Sequence, residues 1–199
     1  STGFKKLLVT AELVKDPDGL LADMIEHGHE ADYEHRFDAE AADETNRLIS
    51  YMESRIEDFR HPSGVALSRR KMELVAELYL KICSDLNRAF EEFVAMYQQV
   101  KEQESAMRKE MDLQVNFDET AVEEIIQQAI LTGEQAGSLA LQVVKRLEYG
   151  LKLVKDRAGI QDFVINDEAV KDMEFYINKL IKQYYRQEDQ SVYEAGEEA

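Results

Sequence analysis

Apolar side chains recur about every 3.5 residues between Val75 and Val100, on a stretch without glycine or proline. That spacing places them on one stripe of an α-helix and is typical of helices that wind around one another. Continued to Met111, the stripe predicts one helix of more than about 40 residues, ~60 Å long. Such a helix needs a partner, inside the chain or in a second copy. The stripe residues expected to pack in this way are Leu78, Ile82, Leu86, Phe90, Phe93 and Tyr97.

The rest of the chain also favours helices. Only nine glycines and two prolines occur in 199 residues, and helical spacing of apolar residues returns in 122–130, 139–154 and 170–184. Asp118 or Thr120 is expected to cap the first of these helices, and Asn166 or Asp167 the last. The sequence therefore predicts an all-α helical bundle with one long coiled-coil-like helix and a smaller C-terminal helical subdomain that includes a minor short-strand element.

The boundary between these parts is expected where charge rises and apolar content falls, between residues 101 and 112. This places an N-terminal helical bundle with the long helix at 1–105 and a C-terminal unit at 112–187. The tail at 188–199 has five acidic residues and little to bury, so we expect it to be mobile.

The charge excludes some classes of partner. With 41 acidic and 24 basic residues the chain carries −17, which opposes binding to nucleic acid or to an anionic membrane and favours a basic protein surface. No apolar run reaches the ~18 residues of a membrane span, and charge interrupts the start too soon for a signal peptide. Cys83 is the only cysteine, so no intrachain disulfide forms and a cytoplasmic location is expected.

The stretch "MIEHGHEADYEH" at 24–35 holds three of the four histidines among acidic side chains. On a helix Glu26 and His29 would face the same way, as in the E-x-x-H pairs of di-metal carboxylate proteins, and His35 would add a third ligand for iron, manganese or zinc. Such sites need two E-x-x-H pairs, however, and Gly28 weakens a helix here. A solvated acidic face without a cofactor is therefore the favoured interpretation, and the metal site is the alternative.

A basic island lies at residues 60–71, "RHPSGVALSRRK". Arg69, Arg70 and Lys71 come at the predicted start of a helix, where positive side chains oppose the helix dipole and need compensation. They indicate either a contact with an anion or an acidic protein partner, or ion pairs with carboxylates of the same chain.

Catalytic motifs are missing from the sequence. It has no phosphate-binding G-x-x-x-x-G-K-[ST], no G-x-S-x-G, no C-x-x-C, no H-E-x-x-H and no calcium-binding EF-hand loop. We therefore expect a protein that is not an enzyme.

Residues 112–172 carry a further pattern: a V-x-F segment, an acidic cap, a helix, a threonine-glycine turn, a second helix and a V-I segment. The positions that carry it are Val115, Phe117, Asp118, Ala121, Ile125, Thr132, Gly133 and Val164. This pattern resembles the C-terminal helical lid of AAA+ unfoldases of the Clp and HslU kind. The resemblance implies a role in subunit contact. It departs from the family at the sensor arginine, because Gly137, Ser138 and Leu139 occupy that place, and no Walker motif precedes it.

Together these features predict a non-enzymatic helical module for protein-protein interaction, acidic, that forms homo-oligomers or binds a more basic partner. Three alternatives remain open: a carboxylate and histidine metal-binding protein, a lid fragment of an AAA+ unfoldase, and an acidic mimic of nucleic acid suggested by the dense acids at 23–45.

Overall fold

The computed structural model describes residues 14–19, 22, 26, 30–82, 85–110 and 113–194. It describes their side chains as well, except those of residues 30–37, 82, 107–110 and 184–194. Helices dominate, so the predicted all-α class is confirmed. The helices are α1 (Glu30–Ser54), α2 (Arg69–Ile82), α3 (Leu86–Glu110), α4 (Glu119–Thr132), α5 (Ala136–Ala158), α6 (Asp167–Lys171) and α7 (Met173–Glu194), with a 3-10 turn at Ile56–Phe59. Two short strands, β1 (Gln114–Phe117) and β2 (Asp162–Ile165), complete the described elements.

The single long helix predicted from the apolar stripe is corrected to two helices, α2 and α3, which pack against each other. Asp85 makes the break: its side chain accepts a hydrogen bond from the backbone N–H of Arg88 at 2.9 Å, as an N-cap does. The pair is antiparallel, because Lys71 near the start of α2 lies 5.1 Å from the ring of Tyr97 in the middle of α3. Because α3 folds back on α2, the apolar stripe is buried between helices of one chain.

The strands β1 and β2 form a parallel pair, with Gln114 opposite Asp162 and Phe117 opposite Ile165. The connection between them contains α4 and α5, as a parallel crossover requires. The inward side chains of the two strands are fully buried among the helices. They are Val115, Phe117, Phe163 and Ile165. The minor short-strand element predicted for the C-terminal part is therefore present.

Local signals fix where these helices begin and end. Asp118 caps α4 by accepting from the N–H of Ala121, and Asn166 caps α6 by accepting from the N–H of Ala169. The helix predicted after Asn166 divides at Asp172, whose side chain accepts from the N–H of Phe175 at 2.9 Å and so starts α7. The helix α7 continues to Glu194 and thus includes most of the segment predicted as a mobile tail.

The described residues from Glu57 onward form one compact unit, and the described residues up to Ile56 form another. The boundary predicted between residues 105 and 112 falls inside the larger unit, because α3 packs on α2, α5 and β1 and thereby belongs to the same core. Within that core Phe93 and Val100 of α3 are completely buried. In the smaller unit, Ile49 and Met52 are the buried apolar residues of α1 among its described side chains. No helix in the described part of the chain is long and apolar enough to cross a membrane.

Candidate functional site

A cluster of charged and polar side chains lies where α2, α3 and α4 meet. Lys71, on the first turn of α2, is at its centre and is only 7% exposed. Its Nζ donates to Glu119 Oε2 at 2.6 Å and to the carbonyl oxygen of Ala66 at 3.3 Å. The same ammonium group lies 5.1 Å from the centre of the Tyr97 ring, within cation-π range. A buried cation is stable only with such partners, and here each partner comes from the same chain.

Tyr97 and Glu119 complete this contact. The Tyr97 hydroxyl donates to Glu119 Oε1 at 2.7 Å, so both oxygens of the carboxylate are bonded. Burial alone would raise the pKa of Glu119, but the hydrogen bonds from Lys71 and Tyr97 outweigh it and hold that pKa below its usual value. Burial raises the pKa of Tyr97, and the neighbouring Glu119 carboxylate raises it further. The Tyr97–Glu119 pair therefore favours a neutral phenol and an ionised carboxylate.

A second ion pair borders the cluster and covers one edge of the sheet. Glu104 Oε1 accepts from Lys101 Nζ at 2.8 Å and from the backbone N–H of Phe117 at 2.7 Å. Lys101 Nζ also donates to the Phe117 carbonyl oxygen at 2.7 Å. These two side chains of α3 satisfy the backbone N–H and carbonyl oxygen of Phe117 on the edge of β1 that is not paired with β2. They take the place of a third strand at that edge.

The basic island is bonded within the chain. Arg69 Nε lies 3.8 Å from Glu73 Oε1, and Arg70 Nη1 lies 3.2 Å from Glu73 Oε2. Arg70 also donates to the side-chain oxygen of Gln127 on α4 at 2.8 Å. These contacts and the buried ion pair of Lys71 are ion pairs with carboxylates of the same chain, which is one of the two interpretations given above for the basic island. Arg69 and Arg70 remain substantially exposed, so their contact with an anion or partner stays a prediction.

Two neighbouring carboxylates of α4 differ in their environment. Ser68 Oγ donates to Glu123 Oε1 at 3.3 Å. Burial raises the pKa of Glu123, in contrast to Glu119 one turn before it. Every buried polar side-chain atom in the described residues has a hydrogen-bond partner. The cluster therefore holds α2, α3, α4 and β1 in fixed positions.

The predicted packing stripe lies largely in the core of the chain. Leu78, Phe90 and Phe93 are at most 4% exposed, and Phe90 packs edge-to-face on Phe59 with ring centroids 5.6 Å apart. Leu86 and Tyr97 are half-buried, whereas the side chain of Ile82 lies outside the described residues. The partner that the stripe requires is thus supplied by the same chain.

The predicted metal ligands are not brought together by any described contact. Glu26 is exposed, while His29 and the side chain of His35 lie outside the described residues. Among the residues that are described, no group of three or more histidine, cysteine or acidic side chains could hold a metal ion. The metal site at Glu26, His29 and His35 stays a prediction.

Sequence reasoning missed an exposed face of α5. Five of its side chains recur every three or four residues and are all exposed; this α5 face consists of Gln142, Lys145, Arg146, Tyr149 and Lys152. The opposite side of the helix is buried in the core. The helix α5 has five basic and two acidic residues, a net charge of +3 in a chain of −17. The signal that could have revealed it is this recurrence of basic residues between the apolar positions.

Two features of the α5 face indicate a contact surface. Tyr149 is 81% exposed, the largest exposed fraction among the exposed large apolar and aromatic residues of the described chain. Lys152 pairs with Glu148 at 2.6 Å, but Lys145 and Arg146 make no ion pair or hydrogen bond with a described residue. Within the described part of the chain, the face therefore presents two cations without an ionic partner beside an exposed aromatic ring.

Comparison of the chain with family models, with curated proteins and with solved structures gave no match. The order of elements expected from the lid resemblance is present as β1, α4, α5 and β2. The relationship to AAA+ lids stays a prediction.

Proposed function

We propose that this protein is a non-enzymatic helical module that assembles with protein partners through charged helix surfaces. The observation that carries the proposal is the α5 face, where Tyr149 is 81% exposed beside the unpaired cations of Lys145 and Arg146. Tyrosine and arginine are enriched among the residues that dominate the energy of protein interfaces. An acidic surface would complement this face, and the acidic remainder of the chain would complement a basic one.

The charge cluster gives a second, independent argument for an interaction role. Lys71, Glu119 and Tyr97 bond one another, and no buried polar atom of a described side chain lacks a partner. The cluster fixes α2, α3, α4 and β1 relative to one another, and α5 packs on α3 and α4 of this framework. A rigid surface binds with a smaller loss of conformational entropy than a flexible one.

A protein partner fits the α5 face better than nucleic acid does. Affinity for a phosphate backbone grows with the number of phosphates that basic side chains neutralise. The α5 face has only two unpaired cations among the described residues, and the whole chain carries −17. The single cysteine, Cys83, fits a reducing compartment such as the cytoplasm. The lid resemblance of residues 112–172 would also assign a role in subunit contact.

Photo-crosslinking tests the proposal. A benzophenone amino acid at position 149 on the α5 face should give protein adducts in cells that naturally contain this chain. The matched control places the same residue at Leu131, which is 67% exposed at the end of α4. Adducts at position 149 well above those at position 131 are expected. Equal or absent adducts at the two positions would contradict an interaction surface on α5.

A further inference from the structure

We propose that the α5 face binds the acidic helix α1 of a second copy of this chain. The inference rests on the proposed function, because it names the partner of the surface described there. Each copy would use α5 as one half of the contact and α1 as the other. Such a contact joins two different surfaces, so it closes a two-fold dimer when both copies use it reciprocally and builds a ring or a filament when each copy uses it in one direction.

The charge of α1 is complementary to that of α5. The helix Glu30–Ser54 has eight acidic and two basic residues, a net charge of −6, whereas α5 has +3. Among the described side chains of α1, Asp38, Glu40 and Asp43 are exposed. Glu40 and Asp43 are three residues apart, so they lie on the same side of the helix. Arg47, the next residue on that side, pairs with Glu44 at 3.4 Å, and Glu40 and Asp43 make no ion pair with any side chain that the structure describes.

The helix α1 is also long enough to lie along the whole α5 face. From Gln142 to Lys152 the α5 face extends ~15 Å at the usual helical rise of about 1.5 Å per residue. The acidic positions from Glu30 to Glu44 extend over ~21 Å by the same rise. Two helices placed side by side can therefore bring Lys145 and Arg146 to the carboxylates of α1, with the Tyr149 ring covered between them.

The negative charge of both chains favours this orientation over the others. Two chains of −17 repel each other in most orientations, whereas the orientation that places α5 against α1 brings opposite charges together. Electrostatic complementarity of this kind selects partners and sets the geometry of a complex. Eight of the acidic residues of the chain lie in α1, so α1 is the part of a second copy that we assign to the α5 face.

Charge reversal and its reciprocal rescue test this contact. Sedimentation velocity of the full chain over a concentration series should show self-association, and Lys145→Glu with Arg146→Glu should weaken it roughly tenfold or more. Glu40→Lys with Asp43→Lys should weaken it equally. A chain with all four substitutions should recover self-association, and so should an equimolar mixture of the two double variants.

A control variant separates this contact from a general effect of charge. Arg88→Glu with Lys182→Glu changes the net charge as much as the α5 variant does, at two exposed positions outside the α5 face. Its self-association should stay close to that of the unmodified chain. Tyr149→Ser is a second variant of the α5 face that leaves the charge unchanged, and it should also weaken association.

Three outcomes would overturn the inference. One is an unmodified chain that remains monomeric at every concentration. Another is self-association that survives both reversals or is not rescued by combining them. The third is binding of a labelled single-stranded oligonucleotide that Lys145→Glu with Arg146→Glu abolishes, which would assign the face to nucleic acid. If position 149 crosslinks to a different protein while the chain is monomeric, the inference fails and the proposed interaction function stands.

Discussion

Gly150 of α5 lies directly against the side chain of Ile177 of α7. A Cβ atom at position 150 would lie 2.6 Å from Ile177 Cδ1 and 2.7 Å from Ile177 Cγ2, well inside van der Waals contact. Isoleucine is branched at its own Cβ, so its side chain has few other rotamers to adopt. The close packing of α5 on α7 therefore requires glycine at position 150.

The first prediction concerns this contact. Gly150→Ala should destabilise the protein by about 1–2 kcal/mol, because the overlap with Ile177 costs more than the gain in helix propensity of ~1 kcal/mol. Urea denaturation measures the free energy of unfolding. Gly137→Ala on the same helix is the control: its Cβ would meet Gln99 at 3.5 Å, an ordinary contact, so it should be neutral or stabilising. Equal stability of the two variants would contradict the prediction.

The second prediction concerns the edge of strand β1. Glu104→Ala removes the acceptor of the Phe117 N–H and the partner of Lys101, and should cost about 1–3 kcal/mol of stability. Hydrogen exchange at the Phe117 amide should become faster than in the unmodified protein. Glu102→Ala, at an exposed position of the same helix, is the control and should change stability by less than about 0.5 kcal/mol. Unchanged exchange at Phe117 in Glu104→Ala would count against this role of the ion pair.

The third prediction is a pH dependence set by Tyr97, whose pKa lies above its usual value. The folded state favours the neutral phenol, so this contribution to stability is complete below about pH 10 and falls as pH rises further and the unfolded chain ionises. Tyr97→Phe should cost about 0.5–1.5 kcal/mol at pH 8, for the lost hydrogen bond to Glu119. The gap between the two proteins should narrow at pH 11.

Urea denaturation at the two pH values measures this gap. Tyr149→Phe is the control, because it changes a tyrosine that is 81% exposed. Its stability relative to the unmodified protein should be the same at both pH values. A constant gap for Tyr97→Phe as well would show that the fold does not raise the pKa of Tyr97.

The fourth prediction concerns the start of α4. Asp118→Ala removes the side-chain acceptor of the Ala121 N–H and should destabilise the protein by about 0.5–2 kcal/mol. Asp118→Asn keeps an oxygen that can cap the helix, so most of this stability should return. Thermal unfolding followed by circular dichroism compares the variants. An asparagine variant as unstable as the alanine variant would argue that the charge of Asp118, and not its cap, is important.

The fifth prediction concerns the histidine stretch. If residues 24–35 form a solvated acidic face, untagged protein from a metal-supplemented culture should carry no stoichiometric iron, manganese or zinc. A native mass spectrum reports bound mass and subunit number together. A whole-number metal adduct that disappears in His29→Ala would instead identify the metal site on Glu26, His29 and His35.

The sequence by itself determined the local structure. Apolar spacing predicted the helices of residues 122–130 and 139–154. Asp118 caps α4 as one of the two candidates expected, and Gly133 ends that helix with a φ of 77°. These features depend on contacts within one or two helical turns, so the order of residues is enough to specify them.

The tertiary structure decided what those helices contact. The apolar stripe of residues 75–100 suits either one long rod or two helices folded back on each other. Asp85 supplies the cap at which the second helix can begin, and the pairing of α2 with α3 selects the folded-back arrangement. From the sequence, Lys71 is expected to be a surface charge. In the structure it is buried, because Glu119, 48 positions later in the chain, forms an ion pair with it. Residues distant in the chain pair when the free energy gained by burying a shared core exceeds the entropy lost in closing the loop between them. That balance belongs to the whole fold, so local spacing determines which residues lie on one face of a helix and the tertiary structure determines which of those faces stays exposed.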